Sequence, residues 1–290
     1  MATLIDLRRR IRSVQNSQKI TQAMKTVSTA KFRKAQRRVV TSRPFWHEFP
    51  ELMKRLAFWA SDAGHPLLER RREARVEVMV ITSDKGLAGA FNSNLLAAAE
   101  AFIEGKAAAG AEVRLVAAGK KAVNYFHKRA WPVDLAFADK TDKLTRRQVR
   151  DLAEFLMRGY SFQKIDGVYL AYNEFKSILA PRIMTVRLLP IEPEAGEGDA
   201  AGWRPDFEPG AGRLARFILP LYVESQIHHA LHESQAAEQA ARMMAMDNAT
   251  KNAADLIEDL TLALNKIRQA GITKELLEIM TAVEALKQSA

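Results

Sequence analysis

The chain has 290 residues, 48% of them hydrophobic, which is enough for one or two domains with a real core. It contains no cysteine, so disulfides, thiolate metal sites and cysteine nucleophiles are excluded, and the composition fits a reducing compartment. No apolar run approaches the roughly 18–20 residues of a membrane span. The first residues, MATLIDLRRRIRS, lack the apolar core of a signal peptide. The expectation is a soluble, cytoplasmic chain that reaches a membrane only through a partner.

The net charge of +10 is unevenly spread. Residues 1–60 hold 14 Lys/Arg against 3 Asp/Glu, a net of +11, while residues 217–290 hold 6 against 10, a net of −4. A basic end and an acidic end invite mutual attraction. They equally permit a basic arm that binds nucleic acid.

From residue 3 to about 58 the chain has no glycine and is rich in Arg, Lys, Gln, Ala and Met, all good helix formers. Leu4, Leu7, Ile11 and Val14 recur at threes and fours. The apolar seam fades at Gln15–Lys19 and is expected to return as Ile20, Met24 and Val27. Pro44 and Pro50 are expected to bend or break this helix, and the segment should end near Gly64-His65-Pro66.

The stretch 75–83, RVEVMVITS, reads as a buried strand. A glycine-containing loop follows, then a helix near Asn92, with Asn92 as its expected cap. Strands are predicted at 112–117, 132–138, 166–174 and 182–190, and helices at 119–130 and 145–160. The alternation predicts an open, mostly parallel, Rossmann-like sheet with helices on its faces. Residues 192–212, rich in Glu, Gly, Pro and Ala, have linker composition.

The remainder predicts one helix over about 217–286, interrupted only by Pro220 and Gly271. Its stripe runs through Val223, Ile227, Ala230, Ser234, Ala237, Ala241 and Met244, then Leu256, Leu260, Leu264 and Ile267. At 1.5 Å per residue the two terminal helices would be about 80 and 100 Å long. A compact chain of this length has a radius of gyration near ~19 Å. Such helices must project from the domain and cover each other, which predicts an antiparallel coiled coil. The expected division is 1–60 (N-terminal helix), 61–216 (central α/β domain) and 217–290 (C-terminal helix). The coiled coil is imperfect: Gln18, Thr21, Lys25 and Ser28 fall where a strict heptad from Leu4 wants apolar residues. A shaft enclosed by another protein tolerates this better than a free one.

Several motifs allow chemistry. Ser83-Asp84-Lys85-Gly86-Leu87-Ala88-Gly89-Ala90-Phe91-Asn92, between strand and helix, could cradle phosphate, but it is neither a Walker loop nor GxGxxG, and a tight turn explains its glycines. His228 and His232 stand at i, i+4 and could clamp zinc; with no third ligand evident, a solvated or interfacial cluster is the plainer reading. Arg8–Arg12 and Lys31–Arg38 could grip phosphates, or an acidic partner helix. No carboxylate pair, Ser-His-Asp set or metal cluster stands at a readable spacing, so no catalytic site or cofactor is expected.

Three separated stretches, ITQAMKTVSTAKFRKAQ (20–36), TSDKGLAGAFNSN (82–94), and ESQAAEQAARMMAMDNATKNA (233–253) leading into LNKIRQAGITKELLEI (264–279), together resemble the γ subunit of the rotary F-type ATP synthase. The likeness covers nearly the whole chain. It implies a non-catalytic central stalk that binds no nucleotide or nucleic acid. The paired helices would stand inside a hexamer of α and β subunits, with the α/β domain beside the ε subunit and the membrane c-ring, on the cytoplasmic face of a bacterial inner membrane. Ion flow would turn the ring, and the shaft would force the β sites through successive conformations. By the same resemblance Met24 and Lys25 face a β-subunit lever, and Arg268 and Gln269 meet β loops. Arg242, Thr273, Glu275 and Glu278 belong to the C-terminal coupling surface, and Phe207 and Glu208 to the tip that meets the rotor ring.

The chain also departs from the family pattern. Ala282-Val283 stand where the family has Gly-Ala, and Leu264 replaces a common Tyr. Alanine in place of glycine stiffens a helix by up to about 1 kcal/mol. These differences point to a divergent branch, with coupling at the tip the property they touch.

Overall fold

The computed structural model describes residues 4–59, 64–138, 144–177, 181–192, 208 and 210–288. The elements in order are α1 (Leu4–Trp59), β1 (Arg75–Ile81), α2 (Phe91–Ala108), β2 (Glu112–Ala118), α3 (Lys120–Lys128), β3 (Val133–Phe137), α4 (Arg146–Ser161), β4 (Gly167–Glu174), β5 (Arg182–Leu189) and α5 (Ala211–Gln288). One five-stranded sheet has the order β3-β2-β1-β4-β5. Strands β3, β2, β1 and β4 are parallel, and β5 closes the edge antiparallel to β4. The chain steps outward from β1 through β2 to β3, then α4 carries it back to the other side of β1. A parallel crossover of fixed hand therefore puts α4 on the face opposite α2 and α3.

Strand β1 lies at the centre of this arrangement and is buried on both faces after its first residue, which is why it reads as a near-continuous apolar run. Val76, Val78 and Val80 pack with Leu95, Ala99 and Ile103 of α2 and Phe126 of α3. Met79 and Ile81 pack on the other side with Leu152 and Leu156 of α4 and Leu219, Val223 and Ile227 of α5. The strand period of two thus sorts a single sequence run into two cores.

Local signals set several boundaries. Thr145 and Gln148 form a capping box at the start of α4. Gly119, at φ +97°, precedes α3, and a Cβ there would collide with the Thr82 carbonyl. Asn92 does not cap α2: the cap position is Ala90, with no side-chain bond. The Asn92 Oδ1 instead accepts the Ser83 N–H at 3.0 Å, because the preceding loop folds back and presents that amide as the nearer donor.

Neither Pro44 nor Pro50 breaks α1, and α5 starts six residues before the expected 217 and passes through Pro220. Each proline removes only its own amide and crowds one carbonyl, so neighbouring hydrogen bonds continue the helix. Burial of Met53 further along α1 supports that continuity.

The chain divides into two compact units, one of residues 28–242 and one joining 1–27 to 243–290. In the first, the Phe49 and Tyr222 rings lie 6.2 Å apart and the Phe32 and Phe175 rings 5.3 Å apart, so α1 is held against both α5 and the sheet. In the second, Thr21 meets Thr250 and Lys25 meets Asp247, and the two helices are antiparallel. Among the described residues no helix is long and apolar enough to cross a membrane.

Candidate functional site

The helical pair of residues 1–27 and 243–290 keeps a strict heptad on α1. Its covered positions include 4, 7, 11, 14, 18, 21, 24 and 25. Of the expected Ile20, Met24 and Val27, Met24 is covered and the other two are not. Ile20 is 61% exposed and Val27 56% exposed, while Gln18, Thr21 and Lys25 turn towards α5. The polar residues are accommodated because α5 supplies matched partners. The Thr21 and Thr250 hydroxyls share a 2.8 Å hydrogen bond, and the Lys25 ammonium donates to Asp247 Oδ1 at 2.6 Å. Lys25 first, and then Lys251 at 3.1 Å, hold the Asp247 carboxyl below the usual carboxylate range. Beside them a groove is lined by Gln18, Lys19, Gln22, Ala23, Thr26 and Thr250. Polar pairs thus stand between the helices here while Ile20 and Val27 face outward.

Further along α5 cover disappears. Ile257, Leu260 and Leu264 are half-covered, but Leu256 points out, so the stripe passes through Ile257 instead. Beyond it Leu262, Ile272, Leu276, Leu277, Ile279 and Met280 are exposed, Met280 to 70%. Arg268, Gln269, Thr273, Glu275 and Glu278 stand exposed on this same bare segment. Thr273 donates back to the Gln269 carbonyl, and Lys274 pairs with Glu278 at 3.6 Å. Val283 of the altered tip is also exposed.

In the other unit, α5 occupies the carboxyl-terminal end of the sheet, where open α/β sheets commonly receive ligands. Ser234 Oγ donates to the Ile81 carbonyl, and the Glu233 carboxylate accepts the Phe175 N–H at 2.8 Å. The Arg242 guanidinium donates to the carbonyls of Lys85 and Gly86, each at 3.2 Å. The 83–92 loop therefore presents carbonyls to a cation, while the Ser83 amide is spent on Asn92 and the Asp84 carboxylate accepts the Lys120 N–H. A phosphate cradle needs free amides aimed at the anion, and this loop is built the other way.

Arg242 is buried, at 7% exposure, with its Nη2 also 2.7 Å from Glu238. The structure thus groups five of the expected coupling residues on the bare segment, places Met24 and Lys25 on the covered part of α1, and sets Arg242 apart in the body. Glu208 lies exposed in a bend, and Phe207 lies outside the described residues.

The histidines are half-buried, in keeping with the interfacial reading rather than the solvated one. The His228 and His232 rings stack with centroids 6.0 Å apart. Burial holds both below the ordinary histidine range; the charges of His228 and Arg38 add to this for His232, and that of Arg146 for His228, where Glu224 opposes it. Glu224 is itself engaged by Arg146 and Arg150, an arrangement hostile to a cation. Among the described residues no group of three or more His, Asp or Glu could hold a metal.

Asp247, Thr250 and Glu238, the partners that make Lys25, Thr21 and Arg242 intelligible, do not stand out in the sequence. Only spacing carries a signal: 247 and 250 are three apart on α5, and 21 and 25 four apart on α1, as facing antiparallel positions require.

The profile of the ATP synthase family matches residues 3–286. The chain is 41% identical over 287 residues to the ATP synthase gamma chain of Pelotomaculum thermopropionicum, covering 99% of this chain and all of that one. It is 42% identical over 299 residues to that of Desulforudis audaxviator, with the same coverage. A chain of the Euglena gracilis mitochondrial ATP synthase shares the fold with a TM-score of 0.67 at 16% identity, over 98% of this chain and 94% of that one. A chain from the central stalk and c-ring of the Tetrahymena thermophila enzyme gives 0.63 at 23% identity, over 79% and 99%. The nucleic-acid reading of the basic helix finds no support among these relatives.

Proposed function

The chain belongs to the family of ATP synthase gamma chains, and on that premise we propose that it is the non-catalytic rotor shaft of an F-type ATP synthase. Its helical pair stands in a hexamer of α and β subunits, and its α/β body meets the ε subunit and the c-ring at the cytoplasmic face of a bacterial membrane. Ion flow turns the ring and the ring turns the shaft. Each face of an asymmetric shaft biases the β site opposite it towards one of several conformations, and rotation passes that bias from site to site. Met24, Lys25, Arg242, Arg268, Gln269, Thr273, Glu275 and Glu278 carry the coupling, and Phe207 and Glu208 meet the ring.

One observation supports this reading above the others: the arm leaves many of its large apolar side chains uncovered while polar pairs sit between its helices. Ile20 and Val27 expose large apolar side chains beside the pairs made by Thr21, Lys25, Asp247 and Thr250, and Leu262, Ile272, Leu276, Leu277, Ile279 and Met280 do so on the bare part of α5 beyond them. Contiguous exposed apolar surface of this kind marks an interaction site, and an enclosing sleeve covers all sides of a helix where a single partner covers one.

The test is co-expression with the α and β subunits encoded in the same genome. The expected result is one copy of the chain per hexamer, with ATP hydrolysis dependent on the β subunits. A monomer that never joins a hexamer, or nucleotide turnover by the isolated chain, would overturn the proposal.

A further inference from the structure

The loop after β1 and the helix α5 are joined by a set of bonds that a simple turn does not need. The Lys85 carbonyl accepts twice, from Ser83 Oγ at 2.7 Å and from Arg242 Nη2 at 3.2 Å, and the next carbonyl, Gly86, accepts from Arg242 Nε. The chain reverses immediately after these two carbonyls. Leu87 does so at φ +62°, in the left-handed region that bulky residues avoid. Such a conformation costs on the order of 1–3 kcal/mol and persists only where the surroundings impose it. Here the imposing group is the buried guanidinium, held from behind by Glu238 at 2.7 Å. Ala88 is buried and Asn92 fixes Ser83, so the loop is pinned on both sides of Leu87.

The pinned loop lies at the end of β1, the central strand, and the pinning residue lies on α5. Going along α5, Ser234 bonds the last carbonyl of β1, and Arg242, two turns later, bonds the loop that continues it. Ser234 makes one neutral bond at 3.4 Å. Arg242 makes two charge-assisted bonds with a planar fork, the stronger and more directional kind.

We propose that Arg242 is a positioning residue that locks α5 to the end of the central strand through the Lys85 and Gly86 carbonyls, so that helix and sheet turn as one rigid piece. The proposal rests on the rotor reading and deepens it: Arg242 acts from inside the body, not as a contact with an enclosing subunit. Without the lock the loop relaxes at Leu87, and part of any twist applied to α5 is lost in the loop.

Two measurements test this. In the full chain, limited trypsin digestion followed by mass spectrometry reads opening of the loop at the Lys85–Gly86 bond. Arg242→Gln is expected to speed that cleavage by about tenfold or more, the factor implied by losing one charge-assisted hydrogen bond, while cleavage after Lys128 is unchanged. In the assembled, membrane-reconstituted complex, the same variant is expected to translocate fewer ions per ATP hydrolysed, a ratio that poorer assembly alone would not move. Arg242→Lys, whose ammonium cannot fork both carbonyls, should fall between, and it serves if the Gln variant does not fold. Unchanged cleavage at Lys85 overturns the lock. Faster cleavage with an unchanged ratio overturns its role in coupling. If the wild-type chain joins no hexamer, the rotor reading falls, and the digestion still decides whether the lock exists.

Discussion

The α/β body of residues 28–242 and the helical arm of residues 1–27 and 243–290 follow opposite rules. In the body, Leu95, Phe126, Leu156 and Leu170 are fully buried, and buried carboxylates such as Asp166 and Glu233 are held by Arg75 and the Phe175 amide. In the arm, the interior is partly Thr, Lys and Asp, and Ile20, Val27, Leu276, Leu277 and Met280 face outward. The body buries most of its large apolar side chains, although Leu87, Phe162 and Phe217 stay exposed, whereas on the bare stretch of the arm Leu262, Ile272, Leu276, Leu277, Ile279 and Met280 are all uncovered. A hydrophobic residue on that bare stretch therefore reports on a partner, where a buried one in the body reports on the fold.

The sharpest way to break this contrast is to truncate one large side chain in each unit. Phe126→Ala should destabilise the body by about 3–5 kcal/mol, through lost transfer energy and an uncollapsed cavity. Leu276→Ala should leave the melting temperature of the isolated chain nearly unchanged, as surface changes do within about 0.5 kcal/mol, yet weaken its retention by the hexamer. Thermal melting of the two variants beside a pull-down checks the pair of outcomes. A Leu276→Ala chain that melts early would mean the arm's outer face is covered by its own chain after all.

The body has its own exceptions, and pH exposes them. Glu77 is 1% exposed on the central strand, and its Oε1 has no hydrogen-bond partner. Burial first, then the Asp134 carboxylate, pushes its carboxyl up to about 7, against the opposing pull of Arg114, which is paired with Asp134 at 2.7 Å. A raised folded pKa means the fold binds the extra proton, so stability falls as pH rises from the ordinary glutamate value of 4.5 through about 7. Glu77→Gln should remove that slope and stabilise the chain by roughly 3 kcal/mol at pH 8. His228 and His232 act in the other direction. Their folded values lie below 6.5, so the unfolded chain binds more protons and stability is lost as pH falls below 6.5. Replacing both by Gln should flatten only the acid limb. Denaturant melts of the variants from pH 5 to 8 separate the two: a Glu77→Gln chain whose pH profile matches wild type contradicts the first assignment, and a doubly His-substituted chain whose acid limb is unchanged contradicts the second.

The body was legible in the sequence because its rules are internal ones. The run RVEVMVITS, the Thr145 and Gln148 spacing and the alternation of strand and helix each point to structure the same chain completes. The arm is legible in outline but not in detail. If apolar residues face the neighbouring helix, the stripe runs through Ile20, Met24 and Val27, and later through Leu256. The heptad continued from Leu4 gave the other answer, with Gln18, Thr21 and Lys25 inside, and the structure follows the heptad. Periodicity sees which residues share a face; it does not see which face another protein will cover. Arg242 was singled out by resemblance alone, because its partners are backbone carbonyls more than 150 residues away, and carbonyls carry no sequence signal. Glu77 gave no warning either, since a lone glutamate in a strand normally reads as a residue turned to solvent.

The smallest expected effect bears on why the arm tolerates a polar interior. Thr21 and Thr250 each satisfy the other across the helix pair at 2.8 Å, and each also donates to or lies near its own helix's carbonyl, Gln18 and Met246 respectively. Removing one hydroxyl leaves its partner with fewer acceptors in a half-covered site, so Thr21→Val or Thr250→Val should each cost about 1 kcal/mol. Removing both replaces a hydrogen-bonded pair by two methyl groups of the same shape, which is nearly neutral or favourable. The double variant should therefore recover most of the loss, a non-additivity that residues in direct contact display. Amide hydrogen exchange over residues 243–255 reads the opening of the pair without unfolding the body. If the single losses simply add, the two hydroxyls are solvated independently, and the polar interior is held by the Lys25–Asp247 bridge alone.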